Sequence, residues 1–188
     1  PNWCNNTVQI SHNDPAKMYA LVEAINAGKF CNFAIPVPED LQITAGRLGD
    51  GEEQRQLELK EQANIAKYGV ANWYDFCVSK WGTKWDVGAD GYEAQDDGKG
   101  GLILTFESAW SPPCGAYETL VERFGFSIRA YYYEGGMGFC GSWIDGEDNY
   151  YNIEEYKSDW VKENIPSDID EYMGISDCME LDEECEDV

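Results

Sequence analysis

The chain has little positive charge and almost no histidine. It contains 13 lysines and arginines against 36 aspartates and glutamates, so its formal net charge is −23 over 188 residues. A surface of this sign repels nucleic acid, because it has no basic patch to neutralise phosphates, and it attracts basic proteins. The one histidine, His12, lies in a polar turn, where a surface role is expected. Histidine-centred catalysis is therefore disfavoured, and we expect a protein that is not an enzyme.

The sequence also lacks the usual signs of a metal centre, a disulfide framework or a membrane span. Its seven cysteines form no C-x-x-C pair, which favours reduced thiols and gives no zinc site. No apolar run reaches the roughly 18 residues of a spanning helix, and no apolar leader is visible. We expect a protein of the host cell cytoplasm, with no membrane contact, no cofactor and no metal. The Asp86–Asp97 stretch resembles a weak calcium loop, for which a solvated loop is the favoured alternative.

The acidic residues are concentrated at the C-terminal end. Residues 145–188 contain 17 acidic and two basic residues, a net charge of −15, whereas residues 1–144 have a net charge of −8. The chain also has 12 tyrosines, seven tryptophans and seven phenylalanines, which is more than a disordered acidic segment usually carries. The acids are therefore expected to lie largely on a folded surface.

Hydrophobic periodicity and capping residues predict an α+β fold. Asp14 and Pro15 are typical of a helix start, and a helix ending at Gly28 follows. Further helices are predicted over residues 52–68, 72–80, 117–124 and 158–164 and after Pro166. Strands are predicted over residues 7–10, 85–87, 102–106, 126–133, 139–143 and 150–153, with an extended segment over 30–35. Residues 88–101 are predicted to be a loop, and residues 180–187 to be frayed.

Six short segments occur in an order that is similar to a known family. They are Pro1–Asn6, Ile35–Pro38, Asn72–Tyr74, Trp81–Trp85, Ala109–Pro113 and Tyr133–Gly136. Together they resemble the YubB-like family of plasmid and bacteriophage proteins. The resemblance implies a ferredoxin-like domain over residues 1–144, with an antiparallel or mixed sheet, helices packed on one face, and a mobile-element origin. It implies no reaction, and it leaves residues 145–188 as an acidic extension, partly folded onto the domain and disordered at its end.

The acidic extension is the candidate functional site. Carboxylates held on a rigid surface can imitate the phosphates of DNA and occupy the cationic groove of a DNA- or RNA-binding protein. We therefore predict an inhibitor, encoded by a phage or plasmid, of a host restriction or CRISPR defence protein. The predicted partner-binding residues are Asp145, Glu147, Asp148, Glu154, Glu155, Asp159, Glu163, Asp168, Asp170, Glu171, Trp143, Tyr151 and Trp160.

Two other interpretations remain open, a binding or assembly module and, as the third choice, an enzyme that acts on a nucleotide or a glycan. The acids can serve solubility alone, in which case the protein is a ferredoxin-like binding or assembly module with an aromatic cleft for a small ligand or a peptide. For Trp3, Trp73, Trp81, Trp85 and Trp110, packing in the core is the favoured role and ligand stacking the alternative. The glycine-rich stretch from Gly135 to Gly138 lacks a following Lys-Ser or Lys-Thr and is expected to form a hairpin turn. The oligomeric state is left open.

Overall fold

Six strands form one antiparallel sheet in the computed structural model, which describes residues 2–186. The strands are β1 (Trp3–Ser11), β2 (Tyr92–Asp96), β3 (Leu102–Ala109), β4 (Ser127–Glu134), β5 (Phe139–Ile144) and β6 (Glu147–Asn152). Their order across the sheet is β2-β3-β1-β4-β5-β6, so β2 and β6 are the edge strands. Both edges carry acidic side chains, which discourage pairing with another chain. The predicted α+β class with an antiparallel sheet is confirmed.

Eight α-helices are found within residues 2–186. They are α1 (Pro15–Asn26), α2 (Phe30–Ala34), α3 (Glu52–Tyr68), α4 (Trp73–Lys80), α5 (Cys114–Thr119), α6 (Ser158–Asn164), α7 (Ser167–Met173) and α8 (Ile175–Glu186). Asp14 caps α1, because its carboxylate accepts a hydrogen bond from the Ala16 N–H at 2.9 Å. Gly69, with a left-handed backbone, follows α3, as local capping rules predict. None of these helices combines the length and the apolar character needed to cross a membrane.

The segment predicted to be extended over residues 30–35 is instead helical. The cause is a distant carboxylate: Asp86 accepts hydrogen bonds from the N–H groups of Cys31, at 2.6 Å, and Asn32, at 2.9 Å. These are backbone donors that the first turn of a helix leaves unsatisfied. Burial raises the pKa of Asp86, although the backbone bonds partly offset that effect. The prediction was wrong because the cap of α2 lies more than 50 residues away in the chain.

The strand predicted at Trp85–Val87 does not form, and β2 lies within the segment predicted to be a loop. The backbone after Val87 is held against α1 instead, since the Ala89 N–H donates to the Ile25 carbonyl at 2.7 Å. Gly88 permits this approach, because a Cβ there would lie 2.2 Å from the same carbonyl oxygen. β2 has a polar sequence and pairs with β3 along one edge only. Its strand structure therefore depends on a partner rather than on hydrophobic alternation.

Side chains of β4 alternate between the two faces of the sheet. Ile128 and Ala130 lie in the larger apolar cluster, with residues of α1, α2, α4 and α5. The next residue, Tyr131, points to the opposite side, where it packs with apolar residues of α6 and α7. Helices α1, α2, α4 and α5 thus cover one face, as predicted, and α6–α8 cover the other. β6 continues the sheet beyond residue 144, and the helical structure of α8 extends through residues 180–186; residue 187 lies outside the described residues.

Candidate functional site

The acidic extension forms a helical layer over β1, β4 and β5. Its apolar side chains make a small cluster with the sheet. The buried members of this cluster are Tyr131, Cys140, Ile153, Val161, Ile165, Ile169 and Ile175. Burial there raises the pKa of the Cys140 thiol to about 12. The four isoleucines and the valine explain how a segment so rich in acid folds, because Val161, Ile169 and Ile175 give each of the three helices a buried apolar residue and Ile153 and Ile165 bury the connections before and after α6.

Tyrosines fix α7 on the sheet. The rings of Tyr131 on β4 and Tyr172 on α7 are stacked, with 4.4 Å between their centroids. The Tyr131 hydroxyl donates to the Asp168 carboxylate at 3.2 Å, and Gln9 of β1 donates from its side-chain amide to the Tyr172 hydroxyl at 2.7 Å. Contacts of these two kinds set both the position and the rotation of α7. The carboxylates that α7 carries therefore have fixed directions.

Other carboxylates join the three helices to one another. Asp170 accepts hydrogen bonds from the N–H and the hydroxyl of Ser176, at 2.8 Å and 2.7 Å, and so caps the start of α8. Glu183 of α8 likewise accepts hydrogen bonds from the N–H and the hydroxyl of Ser158, at 2.9 Å and 3.2 Å, and so caps the start of α6. Lys162 donates to Glu180, and this bond raises the pKa of Lys162. Sequence analysis missed the roles of Glu180 and Glu183, since each depends on a contact between helices.

Four of the ten predicted acidic residues have structural partners. Asp168 and Asp170 bond as described above. Asp145 lies in the two-residue turn between β5 and β6 and accepts from the Ile128 N–H at 2.9 Å. Asp148 accepts a hydrogen bond from the Tyr132 hydroxyl at 2.7 Å. Burial raises the pKa of Tyr132, and this hydrogen bond raises it further. These four groups stabilise the fold, and their carboxylates are only partly available to a partner.

The other six predicted acidic side chains are exposed and accept no hydrogen bond from the part of the chain that the structure describes. They are Glu147 on β6, Glu154 and Glu155 after β6, Asp159 and Glu163 on α6, and Glu171 on α7. Asp159 and Glu163 are four residues apart on one side of α6, a rise of about 6 Å. Asp177 and Asp182 on α8 are exposed too, although the prediction did not include them. We call these eight residues the acidic surface.

The three predicted aromatic anchors lie in different environments. Trp143 is 4% exposed and packs on Tyr117 in the larger cluster, with 5.6 Å between ring centroids. Trp143 therefore cannot contact a partner, and its inclusion among the partner-binding residues was wrong. Trp143 and Tyr151 are both on strands, where alternate side chains face opposite sides of the sheet, so the two rings do not share a surface. Tyr151 is half-buried against the smaller cluster. Trp160 is half-buried and stacks on the exposed ring of Tyr156 at 3.7 Å, so this pair is the aromatic feature of the acidic surface.

The remaining candidate sites have structural roles. His12 accepts a hydrogen bond from the Asp14 N–H at 2.8 Å, beside the cap of α1. In the calcium-like stretch, Asp86 caps α2, and Asp97 accepts bonds from the N–H groups of Lys99 and Gly101. No group of three or more histidine, cysteine or acidic residues suited to a metal occurs within residues 2–186. The glycines from 135 to 138 connect β4 to β5, and the prediction of a hairpin turn is confirmed.

Comparisons with known proteins identify the family of the chain. No curated protein matches it. A crystal structure of the protein Api92 from Yersinia pseudotuberculosis is similar with 14% sequence identity, covering 81% of this chain and 98% of that one at a TM-score of 0.44, too low to support an argument. The model of a family described as "Ferredoxin-like domain in Api92-like protein" matches residues 80–183, more than half of the chain. The ferredoxin-like expectation is confirmed, the YubB-like assignment is not supported, and the chain belongs to the Api92-like family.

Proposed function

We propose that the protein is a non-enzymatic inhibitor that uses its acidic surface to bind a basic, nucleic-acid-handling protein in place of DNA. One observation carries the proposal. Five of the eight residues of the acidic surface, Asp159, Glu163, Glu171, Asp177 and Asp182, belong to helices whose positions are fixed by packing on the sheet and by the caps that Asp170 and Glu183 supply. A solubilising tail needs no such fixed geometry. A mimic does, because its carboxylates must meet the lysines and arginines of a groove without a large loss of conformational entropy.

The physical basis of the interaction is collective. The segment from residue 145 to residue 188 has a net charge of −15, which accelerates the approach of a basic partner and adds many weak ion pairs at contact. The stacked Tyr156–Trp160 pair supplies an apolar anchor within this field. Beside it, a groove of about 390 Å³ is lined by Tyr133, Asp182 and Glu183, among others, and has the charge to accept a cationic side chain.

A binding experiment tests the proposal with matched variants. One variant replaces Glu147, Glu154, Glu155, Asp159, Glu163 and Glu171 by the corresponding amides. The control variant makes the same change at six exposed acids elsewhere in the chain, namely Glu53, Asp90, Glu93, Glu107, Glu118 and Glu122. Both have equal net charge, so a difference between them reports position and not total charge. Deletion of residues 145–188 is unsuitable, because it removes β6 from the sheet and uncovers Tyr131.

The partner is captured from bacterial lysate at low salt, eluted with a salt gradient, identified by mass spectrometry and purified. Its affinity for the protein should fall steeply between about 50 mM and about 500 mM salt, and duplex DNA should compete. The variant of the acidic surface should bind much more weakly than the control variant. Equal binding at both salt concentrations, or equal loss in both variants, would reject DNA mimicry. The predicted alternative, an aromatic cleft, has an observation of its own and concerns a different surface.

A further inference from the structure

A surface of exposed aromatic rings lies at the end of the sheet where β1 begins and β3 ends. Three tryptophans contribute to it, Trp3 at 45% exposure, Trp85 at 39% and Trp110 at 44%, together with Tyr74 at 38%. The rings of Trp3 and Trp85 are 5.9 Å apart between centroids. The Lys84 ammonium lies over the rings of Trp85, at 4.5 Å, and Tyr74, at 5.7 Å. We call these five residues the aromatic surface.

The aromatic surface is concave. Lys84 lies beside two neighbouring grooves. On one side, a cleft of about 540 Å³ is lined by Trp73, Trp81 and Trp85, among others. On the other side, a groove of about 320 Å³ runs between Tyr74 and Trp110. Two adjoining grooves with aromatic walls have the shape that an extended chain requires.

Trp110 is held in an unfavourable backbone conformation. Its φ is +74°, in the left-handed region that bulky residues rarely occupy. The conformation is fixed by neighbours, since the backbone N–H of Trp110 donates to the Asn2 carbonyl at 3.0 Å and the Thr83 hydroxyl donates to the Ala109 carbonyl at 2.8 Å. The result is an indole that stands out from the surface instead of entering the core. Strain of this kind persists where the surrounding structure enforces it and often marks a functional position.

The exposed side chains of the aromatic surface are hydrogen-bond donors, and the carboxylates beside them are those of Glu39 and of Asp86, which already caps α2. Among the described residues, the indole N–H groups of Trp3, Trp85 and Trp110 have no intramolecular acceptor, in contrast to the buried Trp81, whose N–H donates to the Ile35 carbonyl at 2.8 Å. Lys84 adds further donors and no acceptor. A matching ligand has carbonyl acceptors, flat apolar rings and few N–H groups of its own. A proline-rich segment in the polyproline II conformation has all three properties.

The local charge distinguishes this ligand from others. The residues that line the two grooves include two lysines, Lys29 and Lys84, and two acids, Glu39 and Asp86, so the grooves have no net charge in a protein of −23. A neutral groove does not suit a single-stranded nucleic acid, which needs a basic groove along its backbone and would be repelled by the rest of the molecule. Uncharged prolines fit the locally neutral grooves. Basic residues outside the proline run would be attracted by the acid that surrounds them.

We propose that the aromatic surface binds a proline-rich peptide segment with basic flanks, with prolyl rings against Trp85, Tyr74 and Trp110 and peptide carbonyls accepting from the free indole N–H groups. This site is independent of the acidic surface, which lies on α6–α8 and β6. Either proposal can therefore fail without the other.

Fluorescence anisotropy provides the test. The probe is a labelled peptide of about ten prolines with a pair of arginines at each end, and the control peptide has alternating glycine and serine in place of proline. The 188-residue protein should bind the proline peptide saturably and the control peptide at least about tenfold more weakly. The substitutions W85A and Y74A should each weaken binding by about tenfold, as the loss of one aromatic anchor does. Y19A, which removes an exposed aromatic ring on α1, should leave the affinity unchanged. Thermal melts establish that each variant is folded.

Three results would overturn the inference. The first is equal affinity for both peptides, which would show attraction by charge alone. The second is tryptophan-dependent binding of an oligothymidylate or a glucan hexasaccharide in preference to the proline peptide, which would assign the rings to bases or sugars. The third is the absence of saturable binding by the folded protein.

Discussion

The two faces of the sheet are covered in different ways. Within the described residues, nineteen buried apolar side chains make up the cluster under α1, α2, α4 and α5, whereas seven make up the cluster under α6–α8. The first face is held mainly by apolar burial over a wide area. The second depends on a narrow apolar strip together with tyrosine stacking and carboxylate caps. Stability and charge display are therefore divided between the faces, and the second face is expected to open first.

The largest effect is expected from the first face. Phe30 is fully buried and packs on Phe106 and Tyr117, with ring centroids 5.9 Å and 6.2 Å away. Phe30→Ala should lower the free energy of unfolding by about 3–5 kcal/mol and destabilise both faces together. Chemical denaturation followed by tryptophan fluorescence measures this. Leu59→Ala, at a 59% exposed position, is the control and should stay within about 0.5 kcal/mol. A small effect of Phe30→Ala would contradict the assignment of the main core to this face.

A smaller and more local effect is expected on the second face. Ile169 of α7 is 1% exposed, and Ile169→Ala should cost about 2–5 kcal/mol. Because the smaller cluster is confined to α6–α8 and the sheet surface beneath, hydrogen exchange should accelerate in those helices while β1 and β3 stay protected. Leu181→Ala on α8, at 64% exposure, should change neither pattern. Equal acceleration throughout the sheet would show that the two faces unfold as one unit.

Alkaline pH should weaken both faces through their thiols. Burial raises the pKa of Cys77, Cys114 and Cys140 to about 12 in each case. Above an unfolded-state pKa of about 8.5, the unfolded chain loses these protons while the folded chain keeps them, so stability falls as pH rises, by about 1.4 kcal/mol per pH unit for each thiol. The loss continues until the folded pKa is reached. Denaturation midpoints between about pH 8 and about pH 10 measure the slope.

The contribution of the second face can be separated from this slope. Cys140→Ala should reduce the slope of stability against pH by the contribution of one thiol, about 1.4 kcal/mol per pH unit. The control Cys178→Ala, at an exposed position, should leave the slope unchanged. A slope that does not respond to Cys140→Ala would show that this thiol is accessible to solvent in the folded protein.

The smallest effect concerns a single cap. Asp170→Ala removes the acceptor for the N–H and hydroxyl of Ser176 and should cost about 1 kcal/mol. Asp159→Ala is the control, since Asp159 is exposed and should stay within about 0.5 kcal/mol. Thermal denaturation compares the two. A cost for Asp159→Ala as large as that for Asp170→Ala would contradict the distinction between capping acids and displayed acids.

Local signals account for the elements that sequence analysis predicted correctly. Asp14 with Pro15 starts α1, Gly69 follows α3, and α6 has the predicted bounds of residues 158–164. For α1 and α3 the deciding residues lie within one helical turn of the boundary they set. The alternation of β4 likewise predicted that Ile128, Ala130 and Tyr132 share a face. Interactions of this range can be recognised without knowing the fold.

Other features depend on residues far apart in the chain. Asp86 converts residues 30–34 into a helix, and β2 is a strand only because β3 lies beside it. The candidate site shows the same limit. Composition predicted an acidic surface, but it could not separate Asp170, which caps α8, from Glu171, which is exposed.

The sequence by itself determined the amount and sign of charge, the concentration of acid after residue 144 and the presence of enough apolar residues to fold that segment. Those properties are sums over residues and need no coordinates. The tertiary structure decided that the segment covers the second face of the sheet, that Trp143 is buried, that Trp3 and Trp85 meet at the surface, and that Trp110 is exposed. The physical reason is that burial and contact are set by strand pairing and by which face a side chain enters, and both depend on partners elsewhere in the chain.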